Sequence, residues 1–223
     1  MTEDTEMSEM ITYDMNSPEI QYLCKKDRRL AKVISMVGSI SYEKREVDDA
    51  YSFLIHEVIE QMLSIKAGKK IFDRVVELCD GNLCPETIEQ LTIDDLRGTG
   101  TSASKARSIK NITKAVLAGD LVFEEFESMN NEDVTAKLTQ IHGVGPWTAK
   151  MYLLFVLGRP DILPYEDGAF LQSYRWMYKT DDCCPAAVKK RCQKWMPYSS
   201  LASRFLYRAL DYGLVKEEFH LYK

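Results

Sequence analysis

Apolar residues along this chain recur every three or four positions, the spacing of one face of an α-helix. Between Pro18 and Val37 they fall at Ile20, Leu23, Leu30, Val33, Ile34 and Val37, behind a Ser17-Pro18 start that suits a helix N-terminus. A second long helix is predicted from Asp48 to Ala67, carrying Phe53, Leu54, Val58, Ile59, Met62, Leu63 and Ile65. A third follows Gly68, from Lys69 to Cys79. Pro85 to Leu91 is short, and Thr92 to Leu96 begins another turn with Asp94 and Asp95 near its positive end. Ser102 is placed to cap a helix carrying Ile109, Ile112, Val116 and Leu117, which Gly119 ends. Two short helices are predicted over 122–129 and 132–140, broken at Asn130-Asn131, and a very apolar one from Thr148 to Leu157. Gly158, Pro160 and Pro164 mark a loop that leads to Asp167; Ala186 to Trp195 and Ser199 to Tyr212 close the chain as helices. Strand-like alternation is scarce. The pattern predicts an all-α protein of about ten helices, with the first dozen residues mobile.

Composition narrows the class without naming a function. A chain of 223 residues with 45% hydrophobic and 28% charged content is an ordinary globular protein of one or two domains. No apolar run reaches membrane length, Tyr152 to Leu157 being six residues, so no membrane partner is expected. The acidic start MTEDTEMSEM lacks the basic and apolar regions of a secretory signal, which points to an intracellular protein. A net charge of −5 argues mildly against a protein that coats nucleic acid, although Lys105, Arg107 and Lys110 cluster, as do Lys189, Lys190, Arg191 and Lys194. Each cluster alone reads as a solvated helix face. No pair of the six cysteines has Cys-x-x-Cys spacing and there are three histidines, so neither a zinc site nor an iron–sulfur cluster is expected. The thiols are read as free.

The chemistry concentrates in LTQIHGVGPWTAKM, residues 138–151, and in Asp167, twenty residues past Trp147. Gly143 and Gly145 permit a sharp turn and remove side chains, so another backbone can approach closely. The next helix opens at Pro146 or Trp147, and its unpaired N–H groups then converge on one point, an anion site for which a phosphate is the natural occupant. Lys150 lies one turn in. A bare Gly-x-Gly is more simply a tight turn between core helices. The fuller pattern, with an apolar residue before it and Thr148-Ala149 leading into an apolar helix, is more specific. It resembles the helix–hairpin–helix motif of DNA repair proteins and, with Asp167 following, the helix–hairpin–helix (HhH-GPD) superfamily of DNA base-excision glycosylases. Within that superfamily the chain resembles the 3-methyladenine glycosylase II branch. VIEQMLSIKAGKKI (58–71), GTSASKARSI (100–109) and WMPYSSLASRFLYRAL (195–210) are similar to three further family segments, in the same order.

The resemblance implies residue roles. Asp167 matches the essential aspartate, stabilising the cationic sugar as the base departs and orienting or deprotonating the water; Glu166 is its rival, and a helix N-cap is an alternative role. Lyase members carry a lysine nucleophile at the position of Trp147, so a monofunctional enzyme without lyase activity is implied. Trp147, Met151 and Tyr207 would line the base pocket, where an aromatic face attracts an electron-poor alkylated purine. Met151 and Gly168 stand where relatives carry aromatics. Met62 is the candidate wedge for the gap left by the flipped base, the alternative being a methionine on the buried face of its helix. Gln61 would contact the base pair or the orphaned partner. Ser102, Lys105, Gly143, Val144, Gly145, Thr148 and Lys150 complete the candidate DNA contacts.

The implied fold is two helical lobes with the lesion cleft between them: a mobile tail over 1–17, one lobe from 18–47 with 160–223, the other over 48–159. The implied partner is damaged double-stranded DNA, bound by a monomer. No cofactor or metal is implied beyond a monovalent cation at the hairpin when DNA is bound. The compartment would be cytoplasm or nucleoid in a prokaryote and nucleus in a eukaryote. Three alternatives stand beside this reading. One is a glycosylase for another damaged or mismatched base, and one is a non-catalytic helix–hairpin–helix DNA-binding protein. The third is an all-helical protein-interaction domain, which the acidic charge favours and the hairpin does not.

Overall fold

The computed structural model describes residues 10–43, 45 and 49–222, apart from the side chain of Ile65. Asp48 and most of the expected N-terminal tail lie outside these residues. In chain order the elements are β1 (Met10–Tyr13), α1 (Pro18–Lys26), α2 (Arg28–Val37), β2 (Ile40–Glu43), α3 (Asp49–Glu60) and α4 (Ile65–Leu78). Then come α5 (Pro85–Gln90), α6 (Ile93–Gly98), α7 (Ala103–Leu117), α8 (Asn131–Thr139) and α9 (Pro146–Phe155). The last are α10 (Gly168–Tyr178), α11 (Pro185–Cys192) and α12 (Ser199–Asp211). The chain forms two compact units, one from Met1–Lys44 with Gly158–Lys223 and one from Arg45–Leu157.

In the unit built from both ends of the chain, α12 packs on α2 and α10. Its core joins Ile20, Leu23, Leu30, Val33 and Ile34 to Phe170, Tyr174, Met177, Trp195, Phe205 and Leu206, all buried. The helix predicted from Pro18 to Val37 is two helices, because Asp27 turns the backbone to φ −143°, ψ 103° and caps α2. Its Oδ1 accepts from the amides of Arg29 (3.0 Å) and Leu30 (3.3 Å). The apolar period survives the break because both segments face the same core. Asp27 is buried, and its Oδ2 accepts from Tyr178 Oη, from Trp195 Nε1 at 3.0 Å and from Lys194 Nζ at 3.0 Å. Burial alone would raise its pKa; these donors and the charge of Lys194 more than offset that and hold it below the usual carboxylate value. Met10–Tyr13, expected to be mobile, form β1 and pair antiparallel with β2 in the register Met10↔Glu43 to Tyr13↔Ile40. The Arg204 guanidinium covers the Tyr42 ring at 3.8 Å.

In the central unit the helix predicted through Ala67 stops at Glu60, and Ser64 caps α4 through the amide of Ala67 (3.3 Å). Gly68 lies inside α4 rather than between two helices, and a Cβ there would stand 2.7 Å from Cγ of Glu60. The segment predicted as a helix over 122–129 is a 3-10 turn, Phe123–Glu127. Phe123 and Phe126 pack on Tyr152 of α9, with centroids 6.1 and 5.6 Å away. Leu54, Ile55, Val58 and Ile59 of α3, Ile109 and Ile112 of α7, and Leu138 and Leu154 are fully buried in this unit. The helix predicted over Ala186–Trp195 begins at Pro185 and ends as the 3-10 turn Gln193–Trp195.

Candidate functional site

The hairpin lies between α8 and α9. The amide of Val144 donates to the carbonyl of Ile141 at 2.9 Å, closing the turn. Gly143 has φ +103°, and a Cβ there would stand 1.9 Å from Oγ and 2.3 Å from Cβ of Ser108 on α7. Glycine is therefore required twice, for conformation and for approach. Asn111, also on α7, donates from Nδ2 to the carbonyl of His142 at 3.1 Å. Gly145 differs: its φ is −95°, and a Cβ would meet nothing within 4 Å. It is the N-cap of α9 and offers no side-chain bond to the first turn, with Pro146 next. The glycine leaves open space before a helix N-terminus, where backbone amides and the helix dipole favour an anion.

The α3–α4 turn is bonded to this hairpin. Gln61 donates from Nε2 to the carbonyl of Gly143 (3.2 Å) and to Oγ1 of Thr148 (3.1 Å). Its amide nitrogen thus links the α3–α4 turn to the hairpin. Met62 has φ 59° and is 101% exposed, which excludes the buried-face alternative. Lys105 donates from Nζ to the carbonyls of Ile59 (2.8 Å) and Gln61 (2.5 Å). Two of its three donors hold the turn, so it is not a simple phosphate contact, and burial holds its pKa below the usual lysine value. Ser102 is exposed and caps α7 through the amide of Lys105 at 3.3 Å.

Thr148 and Val144 belong to the hairpin through their backbones. Thr148 is fully buried beneath Gln61 and Val144 is buried in the turn, so only their backbones are available to a ligand at the hairpin. Lys150 and Trp147 are half-buried near the start of α9. Met151, one turn after Trp147 on the same face of α9, is buried.

Asp167 and Tyr207 belong to the other unit. Asp167 caps α10, Oδ1 accepting from the amide of Phe170 at 2.7 Å, and is 8% exposed, whereas Glu166 is exposed. Burial thus separates the two rival carboxylates. Gly168 follows with open space at its Cβ. Tyr207 is half-buried on α12.

One further cluster has ligand-type side chains. His56, Glu57 and Glu60 present ligand atoms within 4.8 Å of one another. His56 Nδ1 faces Glu57 at 3.3 Å and Nε2 faces Glu60 at 3.5 Å. Burial would lower the imidazole pKa, but the Glu57 hydrogen bond and the two carboxylate charges outweigh it and raise the value. The arrangement is that of an imidazole bridging two carboxylates. Sequence reading also missed Ser108 and Asn111, whose residue types give no signal until α7 lies against the hairpin. Among the described residues no helix is long and apolar enough to cross a membrane.

Residues 55–198 match the family model described as HhH-GPD superfamily base excision DNA repair protein. The chain is 32% identical over 216 residues to DNA-3-methyladenine glycosylase 1 of Schizosaccharomyces pombe, covering 93% of each. Among solved structures, it superposes on the S. pombe 3-methyladenine DNA glycosylase Mag1 in complex with abasic DNA with a TM-score of 0.81 at 28% identity, covering 87% of this chain and 97% of that one. A DNA-3-methyladenine glycosidase from Bacillus halodurans gives a TM-score of 0.78 at 30% identity, with 95% and 97% covered. The hairpin, the matched segment and these full-length likenesses agree, and the chain belongs to the HhH-GPD superfamily of base-excision DNA repair proteins.

Proposed function

We infer that this protein is a monofunctional DNA glycosylase that flips an alkylated purine out of duplex DNA and hydrolyses its N-glycosidic bond. The observation that carries this reading is the likeness to the S. pombe DNA-3-methyladenine glycosylase 1 along 93% of both chains. The residues supply the chemistry. Hairpin amides at the start of α9 hold a backbone phosphate, and Met62 fills the gap left by the flipped base. Trp147 offers an aromatic face, worth about 0.5–2 kcal/mol to a cationic base. As the C1′–N bond breaks, its electron pair goes to the purine and quenches the positive charge of the alkylated ring. The leaving group therefore needs no strong general acid. Asp167 stabilises the oxocarbenium-like sugar electrostatically and orients the water whose oxygen bonds to C1′ and whose proton is released. The partner is damaged duplex DNA, bound by a monomer.

The test is base release from duplexes containing 3-methyladenine, 7-methylguanine, hypoxanthine or 1,N6-ethenoadenine. Release of an alkylated purine is expected; release of none of the four overturns the reading. Trp147 at the lyase position carries a second prediction, that borohydride traps no covalent enzyme–DNA adduct. Efficient trapping would contradict the monofunctional assignment.

A further inference from the structure

One face of α7 touches both parts of the proposed DNA grip. Lys105, Ser108 and Asn111 are spaced three apart, so they line one side of the helix. Lys105 bonds the Ile59 and Gln61 carbonyls at the end of α3, Ser108 meets Gly143, and Asn111 bonds the His142 carbonyl. Gln61 then links the turn to the hairpin through Gly143 and Thr148. The next residue is Met62, fully exposed and in a left-handed conformation that side-chain-bearing residues rarely adopt. A turn held in such a conformation requires its surroundings to fix it. The backbone bond from the Leu63 amide to the Glu60 carbonyl (2.9 Å) closes the turn, and the Lys105 ammonium and the Gln61 amide tie it to its neighbours. The ammonium stands at the C-terminal end of α3, where a cation also complements the helix dipole.

We propose that Lys105 is a positioning residue that locks the Met62 turn onto α7, and that Gln61 ties this turn to the phosphate-holding hairpin, so that wedge and grip act as one rigid piece. The proposal rests on the reading of the protein as a base-flipping glycosylase. Lys105 acts through Met62 and touches no reacting atom. Its loss therefore weakens discrimination between damaged and intact DNA while leaving the grip on intact duplex in place.

The experiment uses the full chain and two duplexes, one intact and one carrying a tetrahydrofuran abasic-site mimic opposite 2-aminopurine. The ratio of the two affinities and the 2-aminopurine fluorescence change are read for wild type, Lys105→Met, Met62→Ala, the double variant and Lys105→Arg. Lys105→Met is expected to lower the ratio about tenfold, the order of one lost charge-assisted hydrogen bond, and to reduce the fluorescence change, with affinity for intact duplex unchanged. The double variant falls no further than Met62→Ala alone, and Lys105→Arg restores most of the ratio. Should Lys105→Met fail to fold, Lys105→Gln, whose shorter side chain cannot reach both the Ile59 and Gln61 carbonyls, is expected to lower the ratio in the same sense. An unchanged ratio, single effects that multiply, or equal weakening on both duplexes overturns the proposal. A wild-type protein with no fluorescence response overturns the wedge role of Met62, and the proposal with it, whereas the glycosylase reading itself is overturned by the absence of base release from the lesion duplexes.

Discussion

Two glycines one residue apart do different work, and only one is needed for folding. Gly143 carries a positive φ of +103° and lies against Ser108, whose backbone Cα would be 3.2 Å from an added Cβ. Gly143→Ala is expected to cost about 2 kcal/mol or more in stability by urea unfolding. Adding Ser108→Gly should recover part of that, because it removes the Oγ and Cβ clashes but neither the tight approach of the Ser108 Cα nor the φ strain. Gly145→Ala is expected to leave stability within about 0.5 kcal/mol and to weaken DNA binding irrespective of lesion. Unchanged DNA affinity in a folded Gly145→Ala protein would refute the phosphate role of the hairpin. The motif was legible in the sequence because Gly-Val-Gly before Pro-Trp-Thr-Ala has few other uses. The split between the two glycines was not legible, since it depends on Ser108 in a helix that begins some forty residues earlier. The same distance hid the role of Lys105. A lysine beside serines reads as a surface cation until the carbonyls of Ile59 and Gln61 are seen on its ammonium.

Helices were legible as faces, and their breaks were not. The apolar period runs unbroken across Asp27 because α1 and α2 bury their faces in one core. The interruption lies in the carboxylate, whose bonds to the amides two and three residues on stop one helix and start the next. Ser64 does the same for α4. β1 and β2 escaped notice for another reason: strands of four residues, separated by two helices, carry too little alternation to register. Asp27 also joins elements that are far apart in sequence, through Tyr178 of α10 and through Trp195 and Lys194 after α11. Asp27→Ala leaves the Tyr178 and Trp195 donors unpaired in the core and is expected to cost about 3 kcal/mol or more. The folded-state pKa of this carboxylate is depressed. Its contribution is therefore present above the unfolded value of about 3.9 and lost as pH falls through the lower folded value. Unfolding free energy of the wild type should drop steeply below about pH 4, and the acid limb of Asp27→Asn should be flatter. Parallel acid limbs would remove Asp27 from this role.

At the scale of the whole molecule, periodicity cannot show that one unit is assembled from both ends of the chain. That division was implied by the order of four family segments, and no local pattern carries it. The net charge of −5 was the poorest guide, because the proposed grip uses backbone amides at one helix N-terminus. The account as a whole turns on Asp167. Replacing it with Asn keeps an oxygen for the Phe170 amide, so the cap of α10 and the fold are retained while the negative charge is lost. The most direct measurement is single-turnover release of 3-methyladenine from duplex DNA by wild type and by Asp167→Asn. The account predicts release by the wild type and a loss of about a hundredfold or more in the variant, the scale of a removed electrostatic stabiliser, with DNA affinity retained. Equal rates for the two proteins would contradict it.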